Sequence, residues 1–407
     1  MKKFQLLSNR LEELSTNKII NENASYFFDF KKIKIRNELK GIWKYFDLLP
    51  LNHEKNIVSL GEGNTSLKRI KNLEKYLNNA KFYVKAESEN PEGTFKDREA
   101  SYVISKAKEL NLKKIVFHST GNTGRAYSLY SKKAGIESYF FIPLSCMEKC
   151  NLNMTSEKNH IIAVDGKFKD VSSIAKFFSE KNNITVLAPL HDKLEGKATI
   201  AYEQFYECPK ATIFVQTIAG GYGILGFLNG HYRLRNAKIE PHDYKIPKIL
   251  AIQPSDMDTI KKAFEKGLEN LTEEDFIISK NPFEKTLQST NPLKTFKEVR
   301  KCIIETNGRI LSVSSEEAKE IRNIFEFELM NKKIRISYDN EKSPFLGFAG
   351  LVKAANQNII NKEDIIYFVL TGSGKIDSTP VKPDAILIPS KNGYKIKYAK
   401  PKLRKML

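Results

Sequence analysis

Cysteine is scarce in this chain: Cys146, Cys150, Cys208 and Cys302 are the only four in 407 residues. They are too few and too scattered for a disulfide framework. Cys146 and Cys150 are four apart, with His160 ten residues on, but the neighbourhood offers no further ligands. No metal site is expected, and the pair reads as small helix-packing residues. Long apolar runs are also missing. The longest candidates, Ile213 to Val215 and Ile365 to Leu370, are strand-sized, which argues against a membrane span. The opening Met-Lys-Lys-Phe-Gln-Leu-Leu-Ser-Asn-Arg has charge but no sustained apolar core, so a cytoplasmic location is expected. No internal repeat, low-complexity tract or proline-rich linker appears, so a division into domains is expected through chain crossings between lobes.

What is present is an ordinary globular composition, 41% hydrophobic and 28% charged, in a chain long enough for more than one domain. The formal net charge of +19 raises nucleic acid as a partner. Lysine is spread along the chain and interleaved with acids, however, which describes a solvated surface and not a stripe tracking phosphates. The exception is Lys391, Lys395, Lys397, Lys400, Lys402, Arg404 and Lys405, uninterrupted by any acid, read here as a frayed, solvated terminus.

Strands alternate with helices through the centre. Lys114 to His118 is a buried-type strand, Thr123 to Lys133 a helix, and Glu137 to Pro143 a strand. A polar helix near Ser145 to Thr155 and a strand from His160 to Asp165 come next. Val171, Ile174, Ala175 and Phe178 give Lys169 to Lys181 an amphipathic helical spacing. Ile184 to Ala188, Ala211 to Thr217, Lys248 to Pro254, Arg309 to Val313 and Ile365 to Leu370 read as strands. Helices are expected from Leu194 to Glu207 and from the glycine turn to about Asn236. Ser314 with Glu317 makes a capping box for a helix reaching Leu329. Asn270 to Lys294 is polar and irregular. Repeated β-α units predict α/β architecture with mainly parallel sheets flanked by helices.

Four places carry potential chemistry. Lys96 lies in Asn90-Pro91-Glu92-Gly93-Thr94-Phe95-Lys96-Asp97-Arg98; a buried or cation-flanked lysine can lose its proton near neutral pH and attack a carbonyl. Ser119-Thr120-Gly121-Asn122-Thr123-Gly124 succeeds a strand and opens a helix, where free N–H groups and the helix dipole attract anions. A plain capped turn fits those residues equally well. Ala219-Gly220-Gly221-Tyr222-Gly223 could bring backbone N–H groups close to a phosphate, yet matches neither the P-loop nor the dinucleotide pattern. Thr371-Gly372-Ser373-Gly374 ends the last strong strand, the end where α/β sheets gather ligands.

Taken with Trp43 to Pro50, Leu60-Gly61-Glu62-Gly63-Asn64-Thr65 and Tyr83-Val84-Lys85, these segments resemble the fold-type II pyridoxal phosphate (PLP) enzymes, the tryptophan synthase β-like superfamily. The resemblance is strongest to the threonine synthases, with motifs in family order from about residue 40 to 380. It implies a two-lobed fold and PLP as cofactor. It implies that Lys96 forms the Schiff base and that Asn122 bonds the ring hydroxyl. Gly220, Gly221, Tyr222 and Gly223 would take the phosphate, and Thr371 the pyridine nitrogen. Ser119, Thr120 and Thr123 would form the pocket for the substrate carboxylate. A threonine hydroxyl cannot force that nitrogen to stay protonated, so expulsion of a leaving group is favoured over transamination. Freed Lys96 would shuttle the α-proton. The enzyme expected is a lyase acting at the β or γ carbon of an amino acid, converting O-phosphohomoserine and water to threonine and phosphate. By the same resemblance it would be a homodimer.

The chain departs from the family pattern in places. Arg125 replaces a small residue, Ser66 a proline and Lys375 an apolar residue, and the Gly220 to Gly223 loop is closer to sulfhydrylase-like relatives. Arg125 and Lys375 bind a second anion of the substrate or are surface charges. Alternatives are a cysteine- or diaminopropionate-forming β-replacing synthase, a dehydratase, or a silent binding protein using its basic tail. The expected lobes are 1–98 with 206–407, large and cofactor-binding, and 99–205, smaller and mobile.

Overall fold

Runs of β-branched and aromatic residues bounded by turn formers become strands here because alternate side chains can be buried on opposite faces. The computed structural model describes residues 33–187, 190–241, 243–287, 292–374, 379, 381–391 and 393–407. Its strands are β1 Leu67–Arg69, β2 Lys81–Ala86, β3 Lys114–His118, β4 Glu137–Pro143, β5 Asn159–Val164 and β6 Thr185–Val186, then β7 Ile213–Thr217, β8 Lys248–Pro254, β9 Arg309–Val313, β10 Ile365–Leu370, β11 Ala385–Ser390 and β12 Gly393–Ala399. The α-helices are α1 Lys96–Glu109, α2 Asn122–Ala134, α3 Phe168–Asn182, α4 Leu190–Glu207, α5 Tyr222–Asn236 and α6 Thr259–Glu265, then α7 Phe296–Glu305, α8 Ser315–Glu320, α9 Arg322–Asn331, α10 Ser343–Asn356 and α11 Pro401–Arg404.

The chain divides into two units, each built on one six-stranded sheet. The first comprises the described parts of Met1–Pro50, Gly61–Arg98 and Leu190–Lys375. Its sheet has the order β1-β2-β10-β7-β8-β9, parallel except for the β1–β2 pair. Strand alternation splits its core. Phe82, Val215 and Phe368 join Phe345 and Phe348 of α10 on one face. Phe214, Tyr367 and Val369 join Leu225 and Phe227 of α5 and Phe296 and Val299 of α7 on the other. Helices therefore cover both faces, as a parallel sheet requires.

The second unit comprises the described parts of Leu51–Leu60, Glu99–Pro189 and Ile376–Leu407. Its sheet runs β12-β11-β5-β4-β3-β6, parallel except for β11–β12. Phe117, Tyr127 and Phe140 fill one side, and Tyr139, Phe141, Val171 and Phe178 the other. The α/β class with mainly parallel sheets is the one expected. The lobe boundaries differ from expectation: 190–205 belongs to the first unit, while 51–60 and the carboxyl-terminal segment belong to the second.

Two further expectations are corrected. The helix near Ser145 to Thr155 is two short 3-10 turns, Leu144–Lys149 and Leu152–Met154, because Cys150 adopts an extended conformation between them. The basic tail is ordered structure. Tyr394, Ile396 and Tyr398 alternate with lysines, so the segment pairs as β12 antiparallel to β11, and Leu403 and Leu407 beyond it enter the core. The capping box at Ser314 is present, with Glu317 N donating to Ser314 Oγ at 3.2 Å, but the helix it starts breaks at Ile321. No helix among the described residues is long and apolar enough to cross a membrane.

Candidate active site

The carboxyl ends of three adjacent parallel strands line up in the first unit. Leu370 of β10 is in register with Ala86 of β2, and Val369 with Gln216 of β7. Each of these strands leads into one of the predicted loops, so the sheet itself gathers the Lys96 turn, Thr371 and the glycine loop at one edge.

The Lys96 turn is fixed from inside and outside. Asn90 is its internal brace. Its Oδ1 accepts from Gly63 N at 2.8 Å, and its Nδ2 donates to Glu87 Oε2 at 2.6 Å and to Thr94 O at 3.1 Å. Gly93 turns the chain at φ +73°, a region that disfavours a side chain. Asp97 folds back so that its carboxyl accepts from Glu92 N at 3.2 Å and Thr94 N at 3.3 Å. Burial, with Glu92 nearby, pushes the Asp97 carboxyl well above the usual carboxylate range. Outside, Phe95 N donates to Thr371 O at 2.9 Å and Ser373 N donates to Gly93 O at 2.9 Å. Lys96 is thus the first residue of α1, half-buried, on a turn hydrogen-bonded directly to the end of β10. Its Nζ has no hydrogen-bond or ion-pair partner among the described residues.

Below the turn lies a buried ionic network that sequence reasoning missed. Arg98 donates to Glu87 from Nε at 2.8 Å and Nη2 at 2.7 Å, and to Glu203 from Nη1 at 2.7 Å and Nη2 at 2.8 Å. Lys85 Nζ reaches Glu203 Oε2 at 2.6 Å and Glu207 Oε2 at 2.7 Å. Arg98, Glu87, Lys85 and Glu203 are all fully buried. Burial opposes the charge on Glu203, but Arg98 and Lys85 outweigh it and hold its carboxyl below the usual range. Glu203 also accepts from Asn64 N at 2.8 Å, and Thr65 Oγ1 donates to Glu87 at 2.8 Å. The Gly61 to Thr65 and Tyr83 to Lys85 segments thus support the Lys96 turn. No local spacing could have paired Arg98 with Glu203, 105 residues away.

The glycine loop joins β7 to α5. Gly221 is the N-cap at φ +81° and has no side chain with which to cap the helix. A Cβ at Gly221 would overlap Val299 Cγ2, and one at Gly223 would overlap Gln216 Oε1. The loop therefore stays bare, and the opening N–H groups of a 15-residue helix face whatever it holds. This anion cradle, the amine of Lys96 and the Thr371 hydroxyl fit PLP by the chemistry of their donors.

Ser119, Thr120, Asn122, Thr123 and Arg125 lie in the second unit, at the turn from β3 to α2. Ser119 is pinned by its N–H to Phe141 O at 3.1 Å, and its Oγ accepts from Gly121 N at 3.1 Å. A Cβ at Gly124 would overlap the Phe140 ring, so glycine lets α2 begin close over β4. Thr120, Asn122 and Thr123 are half-buried at this helix start. Arg125 is not a surface charge: it is 4% exposed. It stands close enough to Cys150 to oppose, in part, the burial that pushes that thiol up to about 12. Lys375 lies outside the described residues.

The chain is similar to known proteins over most of its length. A family model described as pyridoxal-phosphate dependent enzyme matches residues 58–372. The chain is 29% identical over 397 residues to a threonine synthase of Methanocaldococcus jannaschii, covering 93% of this chain and 92% of that protein. A threonine synthase of Methanosarcina acetivorans is 27% identical, covering 87% and 84%. Among solved structures, a diaminopropionate ammonia lyase from Escherichia coli superposes with a TM-score of 0.60 at 17% identity, covering 78% of this chain and 87% of that one. Maize serine racemase gives 0.59 at 21% identity, covering 77% and 90%. At such identities the structures speak for the fold alone.

Proposed function

Since this chain belongs to the pyridoxal-phosphate dependent enzyme family, we propose that it catalyses elimination or replacement at the β or γ carbon of an amino acid, as a threonine synthase acting on O-phosphohomoserine. The observation that carries the reading is the Lys96 turn, hydrogen-bonded to the Thr371 strand end on the sheet edge that also bears the Gly220 to Gly223 cradle. Full-length likeness to proteins named threonine synthase supports the substrate.

Bound PLP supplies an electron sink for charge developing at the substrate's α-carbon. Lys96 Nζ would provide the covalent anchor, and would take and return the α-proton. The N–H groups at the start of α5, with Gly220, Gly221, Tyr222 and Gly223, would hold the cofactor's phosphate, and Thr371 Oγ1 would bond its ring nitrogen. By the family resemblance, Asn122 would bond the ring hydroxyl, while Ser119, Thr120 and Thr123 would bind the substrate carboxylate. Arg125, buried three residues beyond Asn122, would bind a second anion of the substrate. The net change is loss of phosphate and gain of water.

The test is incubation of the PLP-loaded chain with O-phosphohomoserine, O-phosphoserine and serine in parallel. Phosphate and threonine are expected from the first, and the Lys96→Ala variant yields neither. Phosphate released only from O-phosphoserine moves the enzyme to the β-replacing class. Hydride reduction that leaves no pyridoxyl group on Lys96 overturns the PLP chemistry altogether.

A further inference from the structure

Glu341 stands just ahead of α10 and is only 5% exposed. Its Oε1 accepts from Ser343 Oγ at 2.6 Å, and Ser343 Oγ lies 3.3 Å from Thr371 Oγ1. The carboxylate presses on the strand-end turn itself, since a Cβ at Gly372 would overlap Glu341 Oε1. Two groups therefore stand in line behind the Thr371 hydroxyl: the serine and then the carboxyl.

Two observations make Glu341 an anion. A separation of 2.6 Å is that of a hydroxyl donating to a charged oxygen. The carboxylate also sits at the N-terminal end of a 14-residue helix, where the dipole favours negative charge. An ionised carboxylate only accepts, and serine has one proton to give. That proton is committed to Glu341, so Ser343 can offer Thr371 nothing but a lone pair. Thr371 is then the donor in the Ser343 pair, and its remaining lone pairs are what it offers to a ligand.

We propose that Glu341 is a positioning residue which, through Ser343, turns Thr371 into a hydrogen-bond acceptor, so that PLP bound here keeps its ring nitrogen protonated. This deepens the PLP reading and rests on it. The negative charge of Glu341, buried behind the two hydroxyls, favours the ring N–H⁺ in the same direction. A threonine alone could not enforce that state. Backed by a carboxylate it can, and the ring becomes a stronger electron sink than the residue facing it implies.

The experiment uses the full chain loaded with PLP isotopically labelled at its ring nitrogen, read by nitrogen NMR around neutral pH. The wild type is expected to give the chemical shift of a protonated ring. Glu341→Gln, which removes the charge, and Ser343→Ala, which lets the Thr371 hydroxyl turn and donate, are each expected to move the shift toward the neutral ring. Hydride trapping is run on every sample and is expected to mark Lys96 throughout. A neutral ring in the wild type overturns the proposal, as does a protonated ring unchanged in both variants, provided that Lys96 is marked. Absence of the pyridoxyl mark from the wild type is the separate failure of the PLP reading. Since either variant could lose its fold, the wild-type shift alone remains a sufficient test.

Discussion

Phe95 N donates to Thr371 O at 2.9 Å, which ties the residue preceding the candidate nucleophile to the strand end carrying the candidate ring-nitrogen partner. The second strap, Ser373 N to Gly93 O, has the same length. Backbone bonds of this kind each contribute about 0.5–1.5 kcal/mol. Their larger effect here is geometric: the amine and the hydroxyl cannot shift independently.

Gly93 tests that coupling. Its φ of +73° belongs to the left-handed region, where a side chain costs about 1–2 kcal/mol. Gly93→Ala is therefore expected to lower the melting temperature by a few degrees and to misplace Lys96. Both effects are measurable, by thermal denaturation and by the yield of pyridoxyl-Lys96 after hydride reduction. A normal yield in a destabilised variant would show that the turn matters to the fold and not to the amine.

Gly221 separates packing from conformation at the phosphate cradle. Gly221→Ala brings a Cβ into Val299 and forces a side chain onto φ +81°. Overpacking of this sort costs about 1–3 kcal/mol, and PLP affinity should fall roughly tenfold, about 1.4 kcal/mol. Adding Val299→Ala opens space and should restore stability in part. Affinity measured by cofactor titration should stay low, because the loop's conformation remains strained.

Much of the fold is legible in the order of the amino acids alone. Glu137 to Pro143, Lys248 to Pro254, Arg309 to Val313 and Ile365 to Leu370 read as strands with the ends they have, because buried parallel strands are short continuous apolar runs between turn formers. Lys96, the glycine loop and Thr371 are legible for a related reason: each succeeds a strand and precedes a turn or helix, and a parallel sheet sends all its carboxyl ends to one edge. Glu203, Glu87 and Glu341 are not legible. Their partners lie between 2 and 139 residues away, and a glutamate that will be buried looks in sequence like one on the surface. The tail misleads for the opposite reason, since its run of lysines conceals the period-two alternation of Tyr394, Ile396 and Tyr398 that makes β12.

Asp97 gives a pH dependence of known sign. Burial, with the neighbouring Glu92, raises its folded-state pKa above the unfolded value near 3.9. The folded chain thus binds this proton more tightly than the unfolded chain. The stabilising contribution is complete below about pH 3.9 and is lost as pH rises toward the folded value. Asp97→Asn removes that loss. The stability of the variant relative to the wild type, from denaturant midpoints, should improve steadily as pH rises above about 4. A difference that stays flat over that range would mean that Asp97 does not titrate in the folded protein as its surroundings require.

Glu203 should show the reverse. Arg98 and Lys85 outweigh burial and depress its folded-state pKa, so its contribution is present above the unfolded value near 4.3 and disappears as pH falls through the folded one. Glu203→Gln keeps the shape but leaves Arg98 with one carboxylate in place of two and Lys85 with Glu207 alone. Breaking a fully buried pair costs about 3–5 kcal/mol, a loss large enough to read in a urea titration at neutral pH. The gap between variant and wild type should then close as the solution is acidified below about pH 4. Because Arg98 lies two residues beyond Lys96, the same substitution should also reduce pyridoxyl trapping at Lys96. Trapping that survives in a variant destabilised by this amount would show that the turn is held by Asn90 and the β10 straps without help from the ions beneath it.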